Sequence, residues 1–356
     1  MLTILDRYIG RTVLMSMLLC ELTLVGLSAI IRYVEQLRSV GEGSYTLLSA
    51  FYFVLLSMPQ EIVLFFPIAA LLGGLIGLGQ LASSSELVVM QAAGRSRFNI
   101  VISTLKTTLP LMALIMLMGE YVAPVTKLAS DDLRTQARSD GQVVLSVYGV
   151  WAKDNDAYIN IGQARRDGTL NDITLYYFDD NIQLQRITQA ASARYEGQQW
   201  QLTNITDTLF NPGVSIETKH FDSRNWQTSL TPEKLGVVAI DPDELSMRGL
   251  WEYRGYLEDN GQDSGLYELE FWRKALQPVM VIAMMLLASS FVFGALRSVT
   301  MGARLLMGIL FGFSFYVANE VFGPISLVYA VPPILGALGP SLLFIGIALF
   351  LLNRKA

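Results

Sequence analysis

Cysteine and histidine are almost missing from the sequence, at one each. Cys20 lies inside an apolar run, so no disulfide can form within the chain. His220 alone cannot build a histidine-rich metal site. No HExxH, CxxC, GxSxG or carboxylate-rich magnesium motif occurs, and the pairs Asp131-Asp132 and Asp179-Asp180 read as helix ends and solvated turns. The phosphate-binding pattern GxxxxGK[ST] is also absent, so the chain is not expected to hydrolyse ATP itself. Charge is scarce: 16 % of residues are charged and 52 % are hydrophobic, which is too apolar for an ordinary soluble domain. A net charge of −5 gives no basis for nucleic-acid binding.

What is present is a set of long apolar runs in two groups. They cover about 12–31, 50–81 and 99–124, then about 273–294, 303–322 and 331–352. Each is near the roughly 20 residues that cross a bilayer as a helix. The second is longer and contains Pro59 and Pro67, which predicts a tilted or kinked span. The first lacks a small-residue cleavage site and is followed by Arg32, so it reads as a retained span. Basic residues set the orientation. Arg7, Arg11, Arg95, Arg97, Arg297, Arg304, Arg354 and Lys355 gather on one side, which predicts six spans with both termini cytoplasmic. Arg32 and Arg38 face the other way, against that bias.

Between the groups lies a polar block, about 135–270, with about twice as many acidic as basic residues. Ile173, Leu175 and Tyr177 alternate, then Asp179-Asp180-Asn181 marks a turn. Ala193-Arg194-Tyr195 runs into Glu196-Gly197-Gln198, and Trp200 and Leu202 resume the alternation. The pattern predicts an all-β sandwich or jelly roll on the outer side. Leu245, Leu250, Tyr253 and Leu257 predict a helix leading back toward the fourth span.

The segment 83–94, SSSELVVMQAAG, is too short to span and lies between two runs that are long enough. Ser83 and Glu86 have capping-box spacing, and Gly94 suits a helix stop. Leu87, Met90 and Gln91 share one face, Val88 and Ala92 the other. The segment either rests on lipid headgroups or docks into a protein groove. It carries no Lys or Arg before Arg95, unlike a lipid-seeking helix. Gly73/Gly77 and Gly308/Gly312 have the small-xxx-small spacing of close helix packing. Arg32 and Arg38, with Arg134 just past the third span, either pair with carboxylates such as Glu35 or offer guanidinium forks to an anionic headgroup. Glu61, Glu120 and Glu320 fall near the outer face, and Glu21 lies deeper.

Five blocks together carry a resemblance: LDRYIG at 5–10, FFPIAALLGGLIGLGQLA at 65–82, SELVVMQAAG at 85–94, LTPEKLGVVAIDPDELS at 230–246 and FGALRSVTMG at 293–302. In order and spacing the chain resembles the LptF/LptG family of lipopolysaccharide export permeases. The resemblance implies six transmembrane helices, with a periplasmic β-jellyroll domain inserted between helices 3 and 4. The expected divisions are 1–134 (helices 1–3 with a coupling helix at 83–94), 135–270 (jellyroll) and 271–356 (helices 4–6). It further implies a multi-pass subunit of the bacterial inner membrane, heterodimeric with LptF above an LptB ATPase dimer. LptC and LptA would continue a periplasmic bridge. ATP and magnesium would belong to the ATPase, leaving this chain without a cofactor. Glu86, Leu87, Met90 and Gln91 would meet the ATPase, and Arg32, Arg38 and Arg134 would meet lipopolysaccharide phosphates. Three other classes remain beside this one. An ATPase-driven mechanotransmission or assembly protein would move no lipid, a headgroup enzyme would need a nucleophile or metal constellation, and a secondary transporter would need more than Glu21.

Overall fold

The computed structural model describes residues 3–138, 150–154, 157–164, 169–179, 183–196, 199–211, 215–228, 230–231, 241–293 and 300–353. Parts of the expected turns at 179–181 and 196–198, most of the 230–246 block, Arg297, Arg354 and Lys355 lie outside these residues.

Ten α-helices and six strands make up the described chain. The first group is α1 (Ile4–Gln36), α2 (Leu47–Ser83), α3 (Glu86–Ala92), α4 (Arg97–Tyr121) and α5 (Ala123–Arg138). Strands β1 (Val150–Asp154), β2 (Ala157–Ala164), β3 (Thr169–Phe178), β4 (Leu184–Glu196), β5 (Gln199–Asn211) and β6 (Ser215–Trp226) follow. Then come α6 (Met247–Asp259), α7 (Gly265–Ala275), α8 (Gln277–Phe293), α9 (Met301–Val328) and α10 (Pro333–Asn353). Five helices are long and apolar enough to cross a membrane: α1, α2, α4, α9 and α10. The pair α7 and α8, bent by 52°, makes a sixth when counted as one broken span.

The helices start where their sequences cap them. Thr3 with Asp6, and Thr46 with Ser49, form reciprocal capping boxes at the starts of α1 and α2. Ser96 accepts from the Asn99 amide at the start of α4. α2 continues through Pro59 and Pro67, as apolar-phase helices can when their neighbours shelter the freed carbonyls.

α2 is the axis of the bundle. Its most apolar window is 61 % buried, against 28 % for α1 and 17 % for α9. Leu71, Leu75 and Leu78 of α2 pack with Val13 and Met17 of α1, Ile100 and Met112 of α4, and Met284 to Phe293 of α8. The small residues act at the backbone. A Cβ on Gly73 would strike the Met17 backbone, and one on Gly77 would lie 2.8 Å from the Val13 Cα. Gly308 faces the Leu72 and Leu75 side chains, and Gly312 those of Leu71 and Ile68. By contrast α1 and α9 turn long apolar rows outward, including Leu22 at 72 % and Phe313 at 64 % exposure.

The strands form one antiparallel sheet in sequence order, β1 to β6. Ile173 and Leu175, then Trp200 and Leu202, face its core as their alternation predicts, and Tyr177 packs against that core. Tyr253, Tyr256 and Leu257 of α6 close the core, and the Tyr256 hydroxyl donates to the Lys153 carbonyl at 2.7 Å. One transverse row is skipped by the ladder: Gly162, Asp172, Ala191, Asn204 and Asp222. Register is the same on both sides of the row, but the buried positions change parity across it. Leu170 and Ile173, Ala190 and Ala193, and Leu202 and Ile205 are each three apart. Asp172 and Asn204 take positive φ, 54° and 52°, a conformation that Asp and Asn tolerate better than most residues. The sheet is therefore creased along one line. Asp207, buried near that line, receives two hydrogen bonds from Arg224 at 2.7 and 3.1 Å and one from Thr188 at 2.6 Å.

Two outcomes test this packing. Gly73→Ala and Gly77→Ala should each cost about 1–3 kcal/mol through overpacking against α1 backbone, seen as a lower unfolding temperature in detergent. Gly308→Ala, which meets only side-chain ends, should cost less. Burial alone would raise the Asp207 carboxyl, but Arg224 and Thr188 outweigh it and hold it below the usual carboxylate range. Its stabilisation is full above the ordinary aspartate pKa of about 4 and is lost as pH falls through the lower folded value. Asp207→Asn should lower stability at neutral pH by about 2 kcal/mol and flatten that acid dependence, as read from tryptophan emission during denaturation.

Candidate functional site

The two ends of the helix bundle carry different chemistry. One end bears α3 between α2 and α4. The expected Ser83–Glu86 capping box does not form, because α2 continues to Ser83 and the Ser83 hydroxyl donates back to the Gln80 carbonyl. Ser85 instead precedes α3 at φ 61°, without a side-chain cap. The helix ends as expected at Gly94, φ 90°. Gly94 N–H donates to Gln91 O at 3.0 Å and Arg95 N–H to Met90 O at 3.1 Å, the paired bonds of a Schellman stop.

The faces of α3 divide sharply. Leu87 and Met90 are buried in the chain's own helix core, at 3 % and 8 % exposure. Gln91 is half-buried. Val88 and Val89 are exposed. Glu86 accepts from the Ser84 hydroxyl at 2.7 Å, and the Tyr8 hydroxyl of α1 is close by. Those two hydroxyls, Ser84 first, hold the Glu86 carboxyl below the usual carboxylate range, so it is ionised at neutral pH. The helix therefore presents an anchored underside, an open aliphatic side and a fixed negative charge.

The other end of the bundle carries the three arginines, at different tasks. Arg32 pairs with Glu61 of α2, not with Glu35, and Ser28 donates to the same carboxylate at 2.7 Å. Arg134 of α5 lies over the Phe53 ring at 5.6 Å, and its Nε has no hydrogen-bond partner among the described residues. Arg38 is exposed. A cavity of about 540 Å³, which none of the three arginines lines, opens between α2, α7, α8 and α9. Leu64, Ile68, Met280 and Phe315 give it an apolar floor, while Gln60, Arg273, Lys274, Asn319 and Glu320 give it polar groups. Arg273 is held by Glu270 at 2.7 Å and by the Asn319 carbonyl at 2.6 Å.

This end is also tied to the sheet. Glu120, at the end of α4, accepts from the Met247 and Arg248 amides at 2.7 and 3.2 Å, so it caps α6 rather than pairing with an arginine. Lys127 of α5 bridges Asp131 at 3.2 Å and Glu244 at 3.0 Å. Reading the sequence alone missed both links, whose partners lie more than a hundred residues apart. Glu21 is buried with both carboxylate oxygens unpartnered among the described residues, and nothing in the structure explains it. No cluster of His, Cys, Asp and Glu among the described residues could hold a metal ion. His220 sits on the exposed side of β6 beside Thr206.

Apolar helices of membrane length, a sheet domain at one end and a docked surface helix at the other define a multi-pass membrane protein. A family model for the lipopolysaccharide export system permease LptF/LptG matches residues 7–354. The chain is 46 % identical over 355 residues to the lipopolysaccharide export system permease protein LptG of Escherichia coli K12, covering 99 % of each. It is 48 % identical over 357 residues to the LptG protein of Haemophilus influenzae, covering 100 % of this chain and 99 % of that one. The chain belongs to the LptF/LptG family of lipopolysaccharide export permeases.

The arginines are separable by folding. Arg32→Ala strands the buried Glu61 and should cost about 3 kcal/mol, the low end for a buried pair because Arg32 is partly open to solvent. Adding Glu61→Gln should recover most of that loss. Arg38→Ala should change stability by less than about 0.5 kcal/mol. Unfolding of the detergent-solubilised protein, with and without each substitution, checks all three.

Proposed function

We propose that this chain is a permease subunit of an ABC transporter. It extracts lipopolysaccharide from the outer leaflet of the inner membrane and passes it to a periplasmic bridge. The near full-length identity to LptG proteins of two bacteria is the observation that carries this reading. In it the chain has six spans, with α7 and α8 forming the fourth, and both termini and α3 in the cytoplasm. The creased sheet is part of a periplasmic jellyroll. Partners are LptF as the other half of the permease, an LptB ATPase pair beneath, and LptC and LptA along the bridge.

The geometry supports a division of labour. ATP and magnesium belong to LptB, and this chain transduces. The ionised Glu86 and the exposed Val88 and Val89 meet a groove in the ATPase, with Gln91 at the edge of the contact. Leu87 and Met90 work from beneath, seating α3 on the core so that its displacement reaches the spans. A partner that pushes α3 must bind it differently in its two nucleotide states. The outward apolar rows of α1 and α9 fit acyl chains or the apolar helices of LptF. Arg38, exposed, and Arg134, whose Nε is unpartnered among the described residues, are the guanidinium groups left for lipid phosphate, with Arg32 already paired to Glu61. Collapse of an outward-facing cavity enclosed between this chain and LptF then drives the lipid toward the sheet.

Co-expression with LptF and LptB tests the reading. Glu86→Lys should strip the ATPase from the purified complex while the membrane pair stays assembled, and Glu86→Ala should weaken it. A wild-type chain that recruits no ATPase would sink the proposal. Recruitment and ATP turnover without lipopolysaccharide release would favour an assembly or mechanotransmission protein instead.

A further inference from the structure

Asp6 is a charge enclosed at the α3 end of the bundle, at 1 % exposure. Groups from three segments converge on it. The Thr3 amide donates at 3.0 Å, and the Asp6 amide donates back to the Thr3 hydroxyl at 3.2 Å. From α4, the Ser103 hydroxyl donates at 2.6 Å and the Lys106 ammonium lies at 3.7 Å. From the stop of α3, the Arg95 guanidinium lies at 3.8 Å and also donates to the Thr3 hydroxyl at 3.1 Å. Arg95 cannot drift from α3, because its own amide is bonded to the Met90 carbonyl.

The opposite end of α3 meets the same helix. Glu86 lies close enough to the Tyr8 hydroxyl, on α1 just beyond Asp6, for that group to lower its pKa. So both ends of α3 face the stretch Thr3–Tyr8, and the Arg95 end is fastened to it. Its chain connections are of another kind. They pass through Ser85 and Gly94, both at positive φ, and through short segments outside any helix. Polar side chains tie α3 to α1, Leu87 and Met90 seat it on the shared core, and the backbone joins it to α2 and α4 through bends.

We propose that Asp6 is a positioning residue that fastens α3 and the first turns of α1 into one mechanical unit, so that displacement of α3 is delivered to α1. α1 is suited to receive it. One of its sides packs on α2 through Gly73 and Gly77 and on α4 at Gly10, and the other is a row of exposed leucines and isoleucines with no packing to break among the described residues. This inference rests on the reading that α3 docks on a partner ATPase.

The test uses the complete complex in proteoliposomes, with purified lipopolysaccharide as the probe. ATP turnover and lipopolysaccharide released per ATP are measured together. Asp6→Asn should leave the complex assembled and turning over ATP, while release per ATP falls about fivefold or more, the scale of an ordinary coupling energy. Arg95→Gln should lower the same ratio. The double variant should be no worse than Asp6→Asn alone, because both act through one link. Parallel loss of turnover and release would mean a merely structural role and would overturn the proposal. So would an unchanged ratio, or losses that multiply in the double variant. If Asp6→Asn does not assemble, Arg95→Gln and Thr3→Val, both at more open positions, decide by the same ratio. A wild-type complex that recruits no ATPase is the failure of the preceding reading, and it shows in the control before any variant is compared.

Discussion

The backbone of α2 lies directly against the backbone of α1, and the rest of the bundle is arranged around that contact. In an apolar solvent no hydrophobic force draws helices together, because lipid tails are as apolar as leucine. Attraction comes from close packing, and close packing needs small residues. Gly73 and Gly77 remove the side chains that would hold α1 away, so Met17 and Val13 approach the α2 main chain. The remaining sides of α2 are then free for α4, α8 and α9. The same glycines would be a liability in a water-exposed helix, where they lower helix propensity. Here hydrocarbon enforces the helix, since an unpaired amide has nowhere else to go.

Charges obey the same economy of solvent. Most of those enclosed by the bundle are matched within it: Asp6 by Ser103 and two cations, Glu61 by Arg32 and Ser28, Glu270 by Arg273. The first two matches cross between segments, and Arg273 crosses to α9 through the Asn319 carbonyl, so each also fixes how those segments sit. Glu120 goes further and ties a membrane-length helix to the helix that closes the sheet core, by capping its free amides. Electrostatics in this molecule joins parts that apolar packing alone would leave free to slide.

How much of this was legible in the sequence depends on range. Apolar runs and strand alternation report local periodicity, and α1, α2, α4, α9 and α10 lie where their runs predict, as do the buried faces around Ile173 and Trp200. Gly94 was legible because a helix stop is local chemistry. Ser83 and Glu86 misled because a capping box requires the preceding helix to have ended, and α2 had not. Leu87 and Met90 were correctly placed on one face, but a face does not say whether its neighbour belongs to the same chain. Glu35 was the visible candidate partner for Arg32 because i,i+3 neighbours are legible in one dimension, whereas Glu61 comes from the next helix. The crease was hidden for a related reason. A three-residue step between buried positions looks like a broken strand when read singly, and becomes a fold line only when five strands share it.

That fold line gives the domain a property that a flat sheet lacks. The row holds no ladder pair, so the sheet turns there without interrupting the pairing on either side. The halves meet like the covers of a book at its spine. Side chains keep their cross-strand neighbours within each half, and the buried positions of both halves join one core. A continuous six-stranded sheet thereby wraps its core instead of facing it flat.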